Sequence, residues 1–148
     1  MFKSTSSFDR LLKRATSHLL LEPDWNAILA MCDTIRSGDV PPKYAVSAIK
    51  KKFYHDNPHV VLYSLHVIES CCKNCGHLIH DEVATKAFME ELRELVKHTT
   101  DENTKNKILE IIQTWGMAFR NSPKYRIVTD TLNVMKAEGW KLPPDRGA

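Results

Sequence analysis

Glycine is scarce, with five residues in 148, and no low-complexity tract interrupts the chain. Disorder over the whole chain is excluded by that and by an ordinary 43% hydrophobic and 26% charged composition. No long hydrophobic run exists. The longest, from His59 to Ile68, is broken by Ser64 and His66 and is too short to span a bilayer. No apolar stretch follows a basic start within the opening residues, so no secretory signal is expected. Cysteine is sparse, and Cys71, Cys72 and Cys75 crowd together far from Cys32, which makes a poor disulfide framework. Together these absences predict an intracellular, reducing compartment. Charge of one sign is also lacking. The net charge is +3 and the pI about 8.7, too mild for a nucleic-acid partner.

What is present is helical periodicity. A chain of this length forms one domain and buries roughly 68–70% of its unfolded surface. Between Glu102 and Arg120, Ile108, Ile111, Ile112, Trp115 and Phe119 fall on one stripe, with Asp101 as a cap. Ser122-Pro123 opens a further helix through Tyr125, Val128, Leu132 and Met135 that stops at Gly139. Phe88, Leu92, Leu95 and Val96 mark one that starts near Asp81 or slightly later. Asn57-Pro58 begins a helix running to Gly76, with Val61, Leu65, Ile68 and Cys72 on one side. Pro41-Pro42 begins a shorter one through Tyr44 and Ile49, and Pro23-Asp24 begins one that ends at Ser37-Gly38. Ser7 is expected to cap a first helix carrying Phe8, Leu11, Leu12 and Ala15. No stretch alternates convincingly as a strand. Seven or eight helices with short connections favour a superhelix of packed hairpins or a compact bundle. Met1 suggests a natural start. Residues 143–148 are expected to begin a linker after a domain spanning 1–142, so the parent protein is expected to be longer.

Three groups of residues invite a functional reading. Cys72, Cys75, His77 and His80 are ligand types that suit tetrahedral zinc. Cys72, however, continues an apolar helical stripe, where a free cysteine is a small buried hydrophobe. Packing is the preferred reading, and neither a metal nor another cofactor is expected. Lys50, Lys51 and Lys52, with Lys43 nearby, form the densest basic run. It is read either as a solvated face or as a patch for an anionic phospholipid surface, at about 1 kcal/mol per lysine. The seven histidines are scattered, and no nucleophile elbow, phosphate loop or HExxH motif occurs, so no enzyme is expected.

The third group is Trp25 and Leu29. With Ile28 at zero and about 100° per residue, Ile35, Cys32 and Met31 lie within about 60° and define a core face. Trp25 then falls near 60° and Leu29 near 100°, on the shoulder. Asn26 and Asp33 border them at about 160° and 140°. A tryptophan and a leucine rimmed by polar groups have the composition of a small docking patch. A tryptophan closing the edge of a core is the competing reading.

Several motifs resemble a VHS domain. They include Ala15-Thr16-Ser17, Glu22-Pro23-Asp24-Trp25, Ile28-Leu29 and Cys32-Asp33. The most specific block runs from Asn57-Pro58-His59-Val60 through Val67-Ile68-Glu69-Ser70 to Lys73-Asn74-Cys75-Gly76. Gln113-Thr114-Trp115 and Phe119-Arg120-Asn121 with Pro123-Lys124-Tyr125 complete a likeness covering residues 7–142. Within the family, Leu19-Leu20-Leu21-Glu22 and Lys43-Tyr44-Ala45-Val46 with Ile49 to Lys52 favour a branch distinct from STAM.

The resemblance implies an all-α right-handed superhelix of about eight helices, VHS/ENTH-like. It implies an adaptor in endosomal sorting of ubiquitinated membrane proteins, cytoplasmic and peripheral on the early endosome. It also implies weak monoubiquitin binding through Trp25 and Leu29, rimmed by Asn26 and Asp33. The fourth helix would supply Tyr63, His66 and Ser70 as outward positions. A STAM-like partner would attach through regions outside this chain. In the favoured branch the domain precedes a FYVE zinc finger that binds phosphoinositide. This sequence has no such finger, so the endosome address would come from elsewhere in the parent. Another branch binds acidic dileucine signals, an activity not expected here.

Overall fold

Eight α-helices and no strand form among residues 2–144, which the computed structural model describes. They are α1 (Phe2–Ala15), α2 (Trp25–Arg36), α3 (Pro42–Lys51), α4 (Pro58–Cys75), α5 (His77–Val83), α6 (Lys86–His98), α7 (Glu102–Ala118) and α8 (Arg126–Ala137). Single 3₁₀ turns follow α3, over Lys52–Tyr54, and precede α8, over Pro123–Tyr125. Among the described residues no helix is long and apolar enough to cross a membrane. The helices gather into two compact units, the first ending at Glu82 and the second beginning at Val83.

In the first unit the caps explain where the helices begin. Asp24 accepts the backbone N–H of Ala27 at 3.1 Å, and Asn57 accepts that of His59 at 2.9 Å. Each cap satisfies a donor that the first helical turn leaves orphaned, worth about 1 kcal/mol. Pro42 and Pro58 sit at first helical positions, where the missing N–H costs nothing. Gly76 ends α4 with φ of 57° and ψ of −138°, a backbone region that only glycine enters easily. The core is made by Phe8 and Leu12 of α1, Ile28, Met31 and Ile35 of α2, Ile49 of α3, Phe53, and Leu65 and Ile68 of α4. Each such side chain contributes roughly 1.5–3 kcal/mol on leaving water. Helix α4 lies centrally, packed against α1, α2, α3 and the turn at Lys52–Tyr54.

In the second unit α7 and α8 approach closely at Gly116. A Cβ there would stand 2.5 Å from Leu132 Cδ2 and 2.9 Å from Leu132 Cβ. The Thr129 hydroxyl donates to the Gly116 carbonyl at 3.1 Å across the same crossing. Helix α6 adds Phe88, Met89, Leu92 and Val96, and the Phe88 and Trp115 rings lie 6.2 Å apart.

Three boundaries differ from the sequence reading. Ser7 does not cap α1. It lies inside a helix that already begins at Phe2. Asp81 opens no helix but sits within the short α5, while α6 starts later, capped by the Thr85 hydroxyl on Phe88 N–H at 3.1 Å. Ser122 makes no side-chain cap, and Pro123 enters a 3₁₀ turn before α8. The expected linker residues Pro143 and Pro144 carry no regular structure, and residues 145–148 lie outside the described residues.

A candidate docking surface on α2 and α4

The first unit presents its half-exposed tryptophan and leucine on α2. Ile28, Met31, Cys32 and Ile35 are fully buried, and Trp25 and Leu29 remain 54% and 47% exposed one turn apart. The competing reading of Trp25 as a sealed edge of the core does not hold at that exposure. Asn26 and Asp33 are both exposed beside the pair. Asp33 is bonded to Arg36 on the same helix face. Leu19 and Leu21, in the connection between α1 and α2, are also exposed, Leu21 almost completely.

Both ends of α2 are tied down. Asp24 caps its first turn and also takes an ion pair from Arg14 of α1 at 3.3 Å. His59, at the start of α4, makes a 2.7 Å hydrogen bond to the Leu20 carbonyl just upstream. At the far end the Arg36 guanidinium donates to the Asn74 carbonyl on α4 at 3.1 Å. Between them Cys32 Sγ lies 3.9 Å from Cys71 Sγ, and the Cys75 thiol points to the Cys32 carbonyl at 3.8 Å. These contacts set α2 and α4 side by side and parallel. Residue 32 is level with 71, and 36 with 74, so Leu29 is level with the middle of α4.

The α4 half of the surface needs correcting. Tyr63 and Ser70, expected to face outward, are only 6% and 8% exposed. Tyr63 is enclosed beside His59 and His66, with ring centroids 4.5 Å and 5.5 Å away. The cause is the central position of α4, which is buried around most of its circumference rather than along one stripe. Its water side is a narrow strip through His59, Leu62, His66, Glu69 and Lys73. Of the three expected residues only His66 lies on it. Leu62 and Glu69 lie about opposite Cys71, the residue turned to α2, so they mark the solvated face of α4 rather than a continuation of the α2 pair.

The cysteine cluster is a packing feature beneath this surface. All four thiols are free and buried. Contact with Cys71 and burial, outweighing the lowering effect of Cys75, push Cys32 up to about 12, and burial beside Glu69 and Cys75 gives Cys72 the same value. A bond to Cys32 and burial raise Cys75 as well. The His80 ring bonds the Cys72 carbonyl at 2.8 Å, and His77 is exposed. Among the described residues no three His, Cys, Asp or Glu side chains gather to hold a metal.

Of the four lysines, Lys43, Lys50 and Lys51 lie on α3 and Lys52 in the 3₁₀ turn that follows it. Lys43 and Lys50 are seven residues apart and share a face of α3, and Lys51 is about 100° further round. Lys51 and Lys52 instead line a cleft with Asp9 and Leu12 of α1.

Residues 3–139 match the family model of the VHS domain, and the chain belongs to that family. It is similar to hepatocyte growth factor-regulated tyrosine kinase substrate of Drosophila melanogaster, with 50% identity over 148 residues, 100% of this chain and 19% of the relative. TOM1-like protein 7 of Arabidopsis thaliana is 37% identical over 114 residues, covering 77% of this chain and 21% of that protein. Class E vacuolar protein-sorting machinery protein HSE1 of Pyricularia oryzae is 33% identical over 143 residues, 96% of this chain and 20% of the relative. The chain thus spans about a fifth of these relatives. The solved structure of the VHS and FYVE tandem domains of Hrs, a protein involved in membrane trafficking and signal transduction, superposes with a TM-score of 0.92. It is 49% identical, and the match covers 95% of this chain and 64% of that one.

Proposed function

We propose that this chain is a non-catalytic ubiquitin-binding adaptor module acting in endosomal sorting of ubiquitinated membrane proteins. The observation that carries this reading is the exposed Trp25–Leu29 pair, on an α2 bonded to α4 through Arg36 and entered by a connection that His59 of α4 holds at Leu20. His66 is the one expected α4 residue that keeps partial exposure, and Asn26 and Asp33 supply a polar rim on α2. The pair would bury a small apolar patch of ubiquitin, with the rim excluding water. Relatives named for vacuolar protein sorting and membrane trafficking support the setting. The domain would occupy residues 1–142. A STAM-like partner and attachment to the early endosome would belong to the parts of the parent beyond this chain.

A contact of this size corresponds to a dissociation constant of about millimolar to upper micromolar. Titrating isotope-labelled protein with ubiquitin tests it. Shifts should cluster on Trp25, Leu29 and the side of α4 next to them, and Trp25→Ala should weaken binding about tenfold or more without unfolding the chain. Binding left intact by Trp25→Ala, or shifts centred elsewhere, would overturn the assignment. Salt should affect it little, because the contact is apolar.

A further inference from the structure

We propose that Cys32 of α2 and Cys71 of α4 form a reversible disulfide under a peroxide oxidant, locking the two helices together beneath the Trp25–Leu29 surface. The two residues are 39 apart in sequence, and the packing of α2 on α4 brings their sulfurs to 3.9 Å. Both thiols are free and fully buried. A disulfide of about 2.05 Å requires the sulfurs to approach by about 1.9 Å, within reach of side-chain rotation and a small shift of α2. The other pairings are worse placed. Cys71 and Cys72 are consecutive on α4, so their side chains point about 100° apart. Cys75 stands four residues from Cys71 and three from Cys72. Cβ atoms at those spacings on a helix are about 5–6 Å apart, beyond the roughly 3.5–4.5 Å that a disulfide spans. A bond within α4 therefore needs the helix to open. The Cys75 thiol is turned to the Cys32 carbonyl at 3.8 Å and also bonds the Cys32 sulfur, where it favours the thiolate. Cys32 is thus the sulfur that attacks first, Cys71 its partner, and Cys75 a supporting donor.

The chemistry balances with hydrogen peroxide as oxidant. The Cys32 sulfur takes one oxygen as the O–O bond breaks, giving a sulfenic acid and one water. The Cys71 sulfur then attacks the Cys32 sulfur, the S–O bond breaks, and the hydroxyl leaves with the Cys71 proton as a second water. Two thiols lose two electrons and two protons, and one peroxide becomes two waters. A small dithiol reverses the bond by exchange. Peroxide is close to water in size and reaches the pair through local opening. Burial keeps Cys32 protonated, so the first step is slow and the pair records sustained rather than brief oxidation. The bond closes a long loop and stands one turn from Leu29, so it stiffens the surface from below. None of this depends on what that surface binds.

The test treats the folded full chain with hydrogen peroxide, caps the remaining thiols with iodoacetamide and digests with trypsin. Peptide 15–36 carries Cys32, 53–73 carries Cys71 and Cys72, and 74–86 carries Cys75. The intact mass should fall by two hydrogens before capping, and 15–36 should be linked to 53–73 until dithiothreitol is added. The link should persist in Cys72→Ala and in Cys75→Ala and be absent from Cys32→Ala and from Cys71→Ala. Mapping the unaltered chain identifies the linked peptides even where a variant folds poorly. The oxidised chain should unfold about 5–10 °C higher than the reduced one, and its α2 amides should exchange more slowly. A link to 74–86, a link between two chains, or oxygen added without a link overturns the proposal. So does loss of the link in Cys72→Ala, a link that needs denaturant to form, or an oxidised chain no more stable than the reduced one.

Discussion

Tyr63 and Leu62 are neighbours in sequence with opposite environments, so substitutions at the two should differ sharply in their effect on stability. Tyr63 is enclosed, with its ring against His59 and His66, so Tyr63→Ala should cost roughly 3 kcal/mol of stability in denaturant unfolding. Leu62→Asp, on the side of α4 turned away from α2, should leave stability and ubiquitin binding nearly unchanged in the same titration. The thiols carry a different prediction. An unfolded cysteine ionises near pH 9, whereas Cys32 and Cys72 hold their protons to about 12 in the fold. Between those values the unfolded state has lost protons that the native state keeps, so stability must fall as pH rises. Chemical denaturation from pH 8 to pH 11 should show a steady loss that is smaller in Cys32→Ala/Cys72→Ala, measured relative to each protein's own value at pH 8. At neutral pH an alkylating reagent should modify the native thiols far more slowly than the unfolded ones.

At the scale of the helix, caps and glycines carried most of the legible information. Asp24, Asn57 and Asp101 mark true starts, and Gly76 a true stop, because each solves a local backbone problem that neighbours in space hardly alter. Helix α5 was not legible. Seven residues are too few to show a period, and Asp81 within it resembles the cap of the helix that follows. The α2 face was read correctly because one side of that helix meets the core and the other meets water. The α4 face was misread because burial on several sides leaves no single apolar stripe, and that information resides in helices distant in sequence. The crossing of α7 and α8 was equally hidden, since only the contact with Leu132 shows why Gly116 is a glycine. Gly116→Ala should therefore destabilise the chain by about 1–3 kcal/mol despite alanine's better helix propensity. Thermal unfolding measures this, and pairing it with Leu132→Ala should recover part of the loss if the clash is the cause.

At the scale of the whole molecule, the proposed site, at the affinity expected of it, would not hold cargo alone. Joining two copies through a flexible linker should raise apparent affinity for a ubiquitin chain over monoubiquitin by about 100-fold or more where the spacing permits both contacts. Surface-immobilised chains of different length measure that gain, and an affinity independent of chain length would count against a role in clustered capture. The fastening of α2 to α4, by His59 at one end and Arg36 at the other, bears on time as well as strength. A surface already in its binding shape needs no slow rearrangement, so encounters should succeed at about 10⁵–10⁷ per molar per second. With millimolar affinity the complex would then last from about ten milliseconds to a tenth of a millisecond. If the proposed site binds ubiquitin, such a contact would inspect many ubiquitins in succession and keep none, leaving retention to the number of neighbours that inspect at once.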